Sequence, residues 1–321
     1  MKLILAPMEG LVDFYLRQIL TSIGGYDWCV SEFIRVTDRL LPSRVFYRSV
    51  PELNSGGRTA SGTPVYIQLM GSHPSVVADN GARAVELGAP GVDLNFGCPS
   101  PTVNRGGAGA ILLNEPERIY QIVSALRQTV SREIPVTVKM RLGYDDTANT
   151  IDIVKSIEAA GANMLTVHAR TRADRYKAAA RWEWLAEIRE AIDIPVVANG
   201  DIADLRSFQK CELISGCSHF MIGRAAVRHP YLASQIRQHR AGEAVTSIQW
   251  IGLRALLLQF SELMVHVDNQ RGAASRLKQW VRLLTKGADE VGDVKERAKE
   301  LFERVKKERD LEPMTQMIRD S

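Results

Sequence analysis

No apolar run in this chain approaches the roughly 18 to 20 residues of a membrane span, so it is expected not to cross a bilayer. The opening MKLILAPMEG carries one lysine and an apolar stretch that stops at Glu9, too brief for the core of a secretory signal. A cytoplasmic protein is expected. Only four cysteines occur, Cys29, Cys98, Cys211 and Cys217, with no CxxC pair and no Cys/His spacing suited to zinc. Neither a disulfide framework nor a metal site is indicated. A GxGxxG turn after the first strand, which doubly wound dinucleotide-binding sheets normally display, is missing too, because that strand runs into APMEG. Nor does charge of one sign dominate: 41 Lys+Arg against 37 Asp+Glu gives +4, which permits an anionic partner without requiring one. With 321 residues, 45% apolar and 24% charged, the composition is that of a globular chain of about two domains, which excludes collagen, coiled coil and wholesale disorder.

What is present is a repeat of short apolar, β-branched runs: LILAPM, YDWCVSE, PVYIQLM, GVDLNFG, PVTVKMR, MLTVHAR, PVVANGD and HFMIGR. Most are followed by helix-period sequence such as Pro116 to Val130 and Ile151 to Ala160. Strands buried on both faces are continuous apolar runs, and parallel neighbours need helical crossovers. Eight such units predict a (β/α)8 TIM barrel over residues 1–242. The strand pattern then ceases, and WIGLRALLLQFSELMVHV, AASRLKQWVRLLTK and VKERAKELFERVKKERD predict a smaller all-helical domain over 243–321. Within it, Arg271 to Lys286 holds five basic residues and no acidic one, with Lys278, Arg282 and Lys286 on one helical stripe. A solvated face is the plain alternative; a basic face without acidic partners favours phosphates.

In a barrel, chemistry gathers at the C-terminal strand ends. These ends carry Pro7, Met8 and Glu9; Gln68; Asn95, leading to Cys98; Lys139 and Arg141; His168 and Arg170; Asn199, Gly200 and Asp201; and Gly223 with Arg224. The two-residue spacings of Lys139/Arg141 and His168/Arg170 place both members of each pair on one side of a strand. Converging buried cations call for an anionic ligand, unless Asp93, Glu9 and Asp201 neutralise them. The glycine-bearing turns NGD and GR suit a phosphate, and deeper positive charge suits a reduced, anionic ring. Flavin mononucleotide (FMN) satisfies both demands, as a sugar phosphate also could. Cys98 lies between Gly97 and Pro99 in LNFGCPSPTVNRGGAG, on a loop just past a strand end, which favours a chemical role. Cys29, Cys211 and Cys217 are expected to be buried apolar residues.

APMEG, the run from Asn95 through Gly97, Cys98 and Pro99 to Gly109, VKMRLG, VHART, NGDI and MIGR together resemble the tRNA-dihydrouridine synthases. EFIRV at 32–36 and RLKQW at 276–280 are most similar to the bacterial subfamily C, which modifies position 16 of tRNA. The resemblance spans essentially the whole chain and implies FMN bound by Pro7, Met8, Glu9, Gln68, Lys139, His168, Asn199, Gly200, Asp201, Gly223 and Arg224. It implies that NADPH (or NADH) reduces the flavin, that hydride passes to uracil C6, and that Cys98 protonates C5. Asn95, Arg141 and Tyr176 would meet the substrate nucleotide. Arg35, Arg276, Lys278, Arg282 and Lys306 would meet the tRNA. A metal-free, monomeric enzyme is expected. The alternatives are the same chemistry at another D-loop position, a flavin barrel acting on a free pyrimidine, or an RNA-binding module that uses the barrel only as a scaffold.

Overall fold

The structure, a computed structural model, describes residues 1–265, 267, 269–287 and 293–321. The remaining positions of the expected helical domain, 266, 268 and 288–292, lie outside the described residues. Each of the eight apolar runs read from the sequence forms a strand, and a ninth, β3, is added to them: β1 (Lys2–Leu5), β2 (Trp28–Val30), β3 (Ile34–Arg35), β4 (Val65–Met70), β5 (Val92–Phe96), β6 (Val136–Arg141), β7 (Met164–His168), β8 (Val196–Asn199) and β9 (His219–Ile222). All ladders are parallel. β1 pairs with both β2 and β9, β2 pairs with β4, and the order continues β4–β5–β6–β7–β8–β9, so the sheet closes on itself. Eight strands make the ring. The ninth, β3, is a two-residue segment that pairs with the far end of β4 (Ile34 with Leu69, Arg35 with Met70). YDWCVSE is thus shorter than one full strand: the chain leaves the ladder after Val30 and rejoins at Ile34.

Helices fill the crossovers: α1 (Phe14–Ser22), α2 (Ser43–Ser49), α3 (Pro74–Glu86), α4 (Pro101–Arg105), α5 (Pro116–Thr129), α6 (Thr150–Ala159), α7 (Glu183–Ala191), α8 (Leu205–Ser215), α9 (Arg224–Arg228) and α10 (Leu232–Arg240). Their starts follow local chemistry. Asp13 caps α1 through the Leu16 N–H, and Asp204 and Ser207 form a capping box at α8. Alternation along each strand then divides the core. Val65, Ile67 and Leu69 of β4, Val92, Leu94 and Phe96 of β5, and Val136, Val138 and Met140 of β6 pack outward against the helices. The other face looks into the barrel, whose two sides differ. Ile4, Ala6, Trp28, Val30, Val197 and Met221 form a separate apolar cluster with Tyr66, while Gln68, Asp93, Asn95, Thr137, Lys139 and Thr166 line the side built by β4 to β7.

The tail folds as α11 (Trp250–Met264), α12 (Gln270–Leu284), α13 (Val294–Val305) and α14 (Leu311–Arg319). It is seated on the barrel. Trp280, 2% exposed, donates its indole N–H to the Val227 carbonyl of α9 at 3.0 Å and meets Phe260 edge-on at 5.2 Å. Arg276 donates to the Leu11 carbonyl at 2.7 Å and pairs with Asp13 at 2.9 Å, and the Gln279 amide approaches Gly10 O at 3.4 Å. The run from Arg271 to Lys286 is therefore not free of acidic partners: Arg276 finds one in Asp13, across the tertiary interface. Among the described residues, no helix is long and apolar enough to cross a membrane.

Candidate active site

A cavity of about 530 Å³ opens at the C-terminal ends of the strands, a volume in the range of small-molecule and cofactor sites. Pro7, Met8, Glu9, Gln68, Lys139, His168, Asn199, Gly200, Asp201, Gly223 and Arg224 all line it, together with Cys98, Asn95, Arg141 and Tyr176. Strand register brings them together: Asn95 lies beside Lys139, Arg141 beside His168, and His168 beside Asn199. Phe33, Met221, Arg228 and Gly287, which the sequence did not single out, also line the cavity, as does Lys286, expected on a basic helical stripe and not at the barrel mouth. The last two belong to the tail, and no local pattern ties them to a barrel mouth.

The polar wall is a chain of oriented amides. Thr137 donates to Asp93 at 2.5 Å, the Gln68 amide donates to the other Asp93 oxygen at 2.7 Å, Asn95 donates to Gln68 Oε1 at 2.7 Å, and Gly97 N–H donates to Asn95 Oδ1 at 2.9 Å. Each bond fixes the flip of the next amide. Burial pushes Asp93 up to about 6, against the pull of Thr137, Gln68 and Lys139. Burial, followed by the charge of Arg141, pushes Lys139 down to about 8. The Lys139 ammonium donates to Asn199 Oδ1 at 3.2 Å and, among the described residues, forms no ion pair.

The cations read at the strand ends divide into two kinds. Arg170, 3% exposed, is neutralised: it pairs with Asp201 at 2.5 Å, donates to Ala178 O at 2.6 Å and faces His168 Nε2 at 3.3 Å. Because a guanidinium only donates, His168 Nε2 accepts and Nδ1 carries the proton. Burial, then the charges of Lys139, Arg141, Arg170 and Arg224, hold His168 well below the ordinary histidine range, so the ring is neutral. Arg141, Lys139 and Arg224 have no carboxylate partner among the described residues. Arg141 donates to Gly97 O at 2.8 Å and Thr171 O at 3.2 Å, and the Arg224 guanidinium lies 4.1 Å from the centre of the Tyr176 ring. Tyr176 is 54% exposed. Gly200, at φ +119°, is required by its backbone and by close packing: a Cβ there would meet His168 Cδ2 at 3.0 Å and Ala180 Cβ at 3.2 Å.

Cys98 is half-buried against Met70, Val103 and Ala108. Its loop is held from within, since Asn104 donates to the carbonyls of Cys98 (3.0 Å) and Ser100 (2.7 Å) and accepts from Ile111 N–H (2.7 Å). Burial raises the thiol above its ordinary value, and Glu9 adds to this against Ser100 N–H, Arg141 and Arg35. A raised thiol remains protonated at neutral pH, as a proton donor must. Cys29, Cys211 and Cys217 are buried. Of the expected tRNA contacts, none of Arg35, Arg276, Lys278, Arg282 and Lys306 lines the cavity. Arg35 is exposed on β3, with Gly106 of the Cys98 loop close to its Nη2. Lys278 is half-buried and donates to Glu308 O at 2.6 Å; Arg282 is exposed; Lys306 is exposed and paired with Glu303. Among the described residues, no cluster of three or more His, Cys, Asp or Glu is placed to hold a metal ion.

Fold and site together define a (β/α)8-barrel enzyme whose cavity combines unpaired cations with a protonated thiol. Solved structures with this architecture include a 2-naphthoyl-CoA reductase (TM-score 0.55, 13% identity, 74% of this chain and 50% of that one) and an old yellow enzyme homologue from Zymomonas mobilis (TM-score 0.50, 12% identity, 76% and 90%). At such identities the likeness is one of fold. The family model described as dihydrouridine synthase (Dus) matches residues 4–319. Curated relatives include the tRNA-dihydrouridine(16) synthases of Aquipseudomonas alcaligenes (46% identity, 99% of both chains), Neisseria meningitidis serogroup A (44%, 99% of this chain and 93% of the relative) and Escherichia coli O157:H7 (44%, 95% and 93%). The chain belongs to the dihydrouridine synthase family and is an oxidoreductase.

Proposed function

We propose that this enzyme reduces the C5=C6 bond of a uridine in the tRNA D-loop, at position 16, with FMN as its cofactor and NADPH (or NADH) as reductant. The observation that carries the reading is the pairing of a protonated Cys98 thiol with unpaired Lys139, Arg141 and Arg224 around one cavity. The curated relatives, matched over nearly their full length and named for position 16, support substrate and site of modification.

The residues fit FMN. The Lys139 ammonium, which has no carboxylate partner among the described residues, and the buried Gln68 amide with a second N–H to give suit the edge of a flat ring that gains negative charge on reduction. Pro7, Met8, Glu9, His168, Asn199 and Asp201 complete its enclosure, and Gly223 with Arg224 suit its phosphate. When bound, FMN supplies the hydride that uracil C6 receives. The rest falls to the chain. Cys98 Sγ gives its proton to C5, so one hydride and one proton saturate the bond, and solvent reprotonates the thiolate. Asn95, Arg141 and Tyr176 hold the uracil so that C5 faces the thiol. Neutral His168, its Nε2 turned to Arg170, leaves Nδ1–H to donate without adding a charge.

A stacked base shields C5 and C6, so the target uridine leaves its surroundings at a cost of a few kcal/mol that contacts elsewhere must offset. Arg35, Arg276, Lys278, Arg282 and Lys306 would supply them, with the chain divided into an FMN-binding barrel (1–242) and a tRNA-binding helical domain (243–321). The enzyme would act in the cytoplasm as a monomer. The test is to supply the protein to a cell lacking its own dihydrouridine synthases and map the modification in its tRNA. New dihydrouridine at position 16 is the expected result; modification elsewhere refutes the position, and a flavin-bearing protein that leaves tRNA untouched refutes the substrate.

A further inference from the structure

Beyond Gly223 and Arg224 the cavity extends between the barrel and the tail, where Arg228, Lys286 and Gly287 line it. Arg224 and Arg228 are four residues apart on α9 and share a side of that turn. Arg228 Nε is buried without a hydrogen-bond partner, and a buried polar group left so in a native fold needs an explanation. Among the described residues no carboxylate forms an ion pair with Arg224, Arg228 or Lys286. Two acidic side chains line this end of the cavity, and both are committed: Asp201 accepts from Arg170 and from Ala180 N–H at 2.9 Å, and Asp204 caps α8 through Ser207 N–H at 2.7 Å. Burial, followed by the charge of Arg224, weakens the hold of Arg228 on its proton.

The tail is built to come this close. Trp280 is bonded to Val227, the neighbour of Arg228, and that docking carries the end of α12 to the cavity. Gly287 allows the final approach, since a Cβ there would stand 3.0 Å from Arg228 O and 3.2 Å from Leu284 O.

We propose that Arg228 and Lys286 join Arg224 to form the seat of the FMN phosphate, so that the helical tail completes the cofactor site. The inference rests on the FMN reading above. A phosphate monoester carries between one and two negative charges at neutral pH and three terminal oxygens, which suits three converging cations better than the single charge of a backbone phosphodiester. Riboflavin, which lacks the phosphate, isolates the seat from the ring site.

The experiment is equilibrium titration of the full-length, flavin-stripped protein with FMN and with riboflavin, for the wild type, Arg228→Gln and Lys286→Ala. Each substitution should weaken FMN binding about tenfold or more, the range for losing a charge-assisted contact, while riboflavin binding stays as in the wild type. Unchanged FMN preference overturns the proposal, and so does an equal fall for both flavins. If flavin preference is intact while the salt dependence of tRNA binding drops by about one phosphate contact, the anion is a tRNA phosphate and the cofactor seat is refuted. A wild type that binds neither flavin removes the FMN reading itself, and this inference with it.

Discussion

Replacing Lys139 by methionine should make the protein more stable and the enzyme worse. The side chain is half-buried in the cavity wall, its ammonium faces one amide oxygen, and burial with the Arg141 charge brings it from 10.5 down to about 8. At about 1.36 kcal/mol for each tenfold in proton affinity, that fall amounts to about 3 kcal/mol against the folded state near neutral pH. Cavity water reaching the ammonium, and the weaker support left for Asp93, reduce the expected gain to about 1–3 kcal/mol. Methionine fills a similar volume without the charge. The pH dependence has a definite sign. Between about 8 and 10.5 the unfolded chain binds more protons at this site than the folded one, so the wild type gains stability as pH rises through that window. The advantage of Lys139→Met should therefore be full below pH 8 and shrink towards pH 10. Urea unfolding of both proteins across that range measures it, and dihydrouridine mapping should show little product from the variant. A variant less stable than wild type at pH 7, or a difference that does not shrink with pH, would mean that Lys139 is held mainly as a counter-charge to Asp93.

Cys98→Ala should retain flavin absorbance and NADPH oxidation yet lose about 10²- to 10⁴-fold in dihydrouridine formation; in the wild type, product formation should decline only above the ordinary thiol range, because burial raises Cys98. Unchanged tRNA turnover in the variant would remove the thiol from the mechanism. Arg282→Glu, at an exposed position of α12, should weaken tRNA binding and lower its salt dependence without altering flavin spectra, and an unchanged slope would make the residue ordinary surface. Trp280→Phe removes the bond to Val227 O and leaves that carbonyl short of a donor, so a loss of about 1–3 kcal/mol is expected in chemical denaturation. Retention of full stability would show that apolar packing alone seats the tail.

The barrel was legible because strands buried on both sides are continuous apolar runs, and because their polar exceptions recur every second residue. Lys139 with Arg141, and His168 with Arg170, could each be assigned to one side of a strand from their spacing, and all four line the cavity. The break in YDWCVSE was not legible: Ser31 N–H still donates to Tyr66 O at 2.9 Å, but it is the Ser31 hydroxyl that accepts from Gln68 N–H. Charge counting within a segment also misled. Arg276 meets Asp13 through folding, outside its own run, whereas the pairing of Arg170 with Asp201 is the neutralisation that the strand-end residues had left open. Lys286 looked like the end of a surface stripe because the docking of α12 that turns it to the cavity depends on Trp280 and on the small size of Gly287, neither of which carries charge.

That docking bears on how such enzymes can diversify. Arg276 and Gln279 hold the loop between β1 and α1, which runs on from Pro7, Met8 and Glu9, while Trp280 holds α9. A recombination event that exchanged the helical tail alone would bring in a helix with no matching grip on that loop. On the proposed tRNA-binding role of the tail, retargeting by tail swapping would demand that residues 7–13 and 224–228 travel with it, so a new nucleotide position is more readily reached by substitution on the exposed face of α12 than by trading the domain.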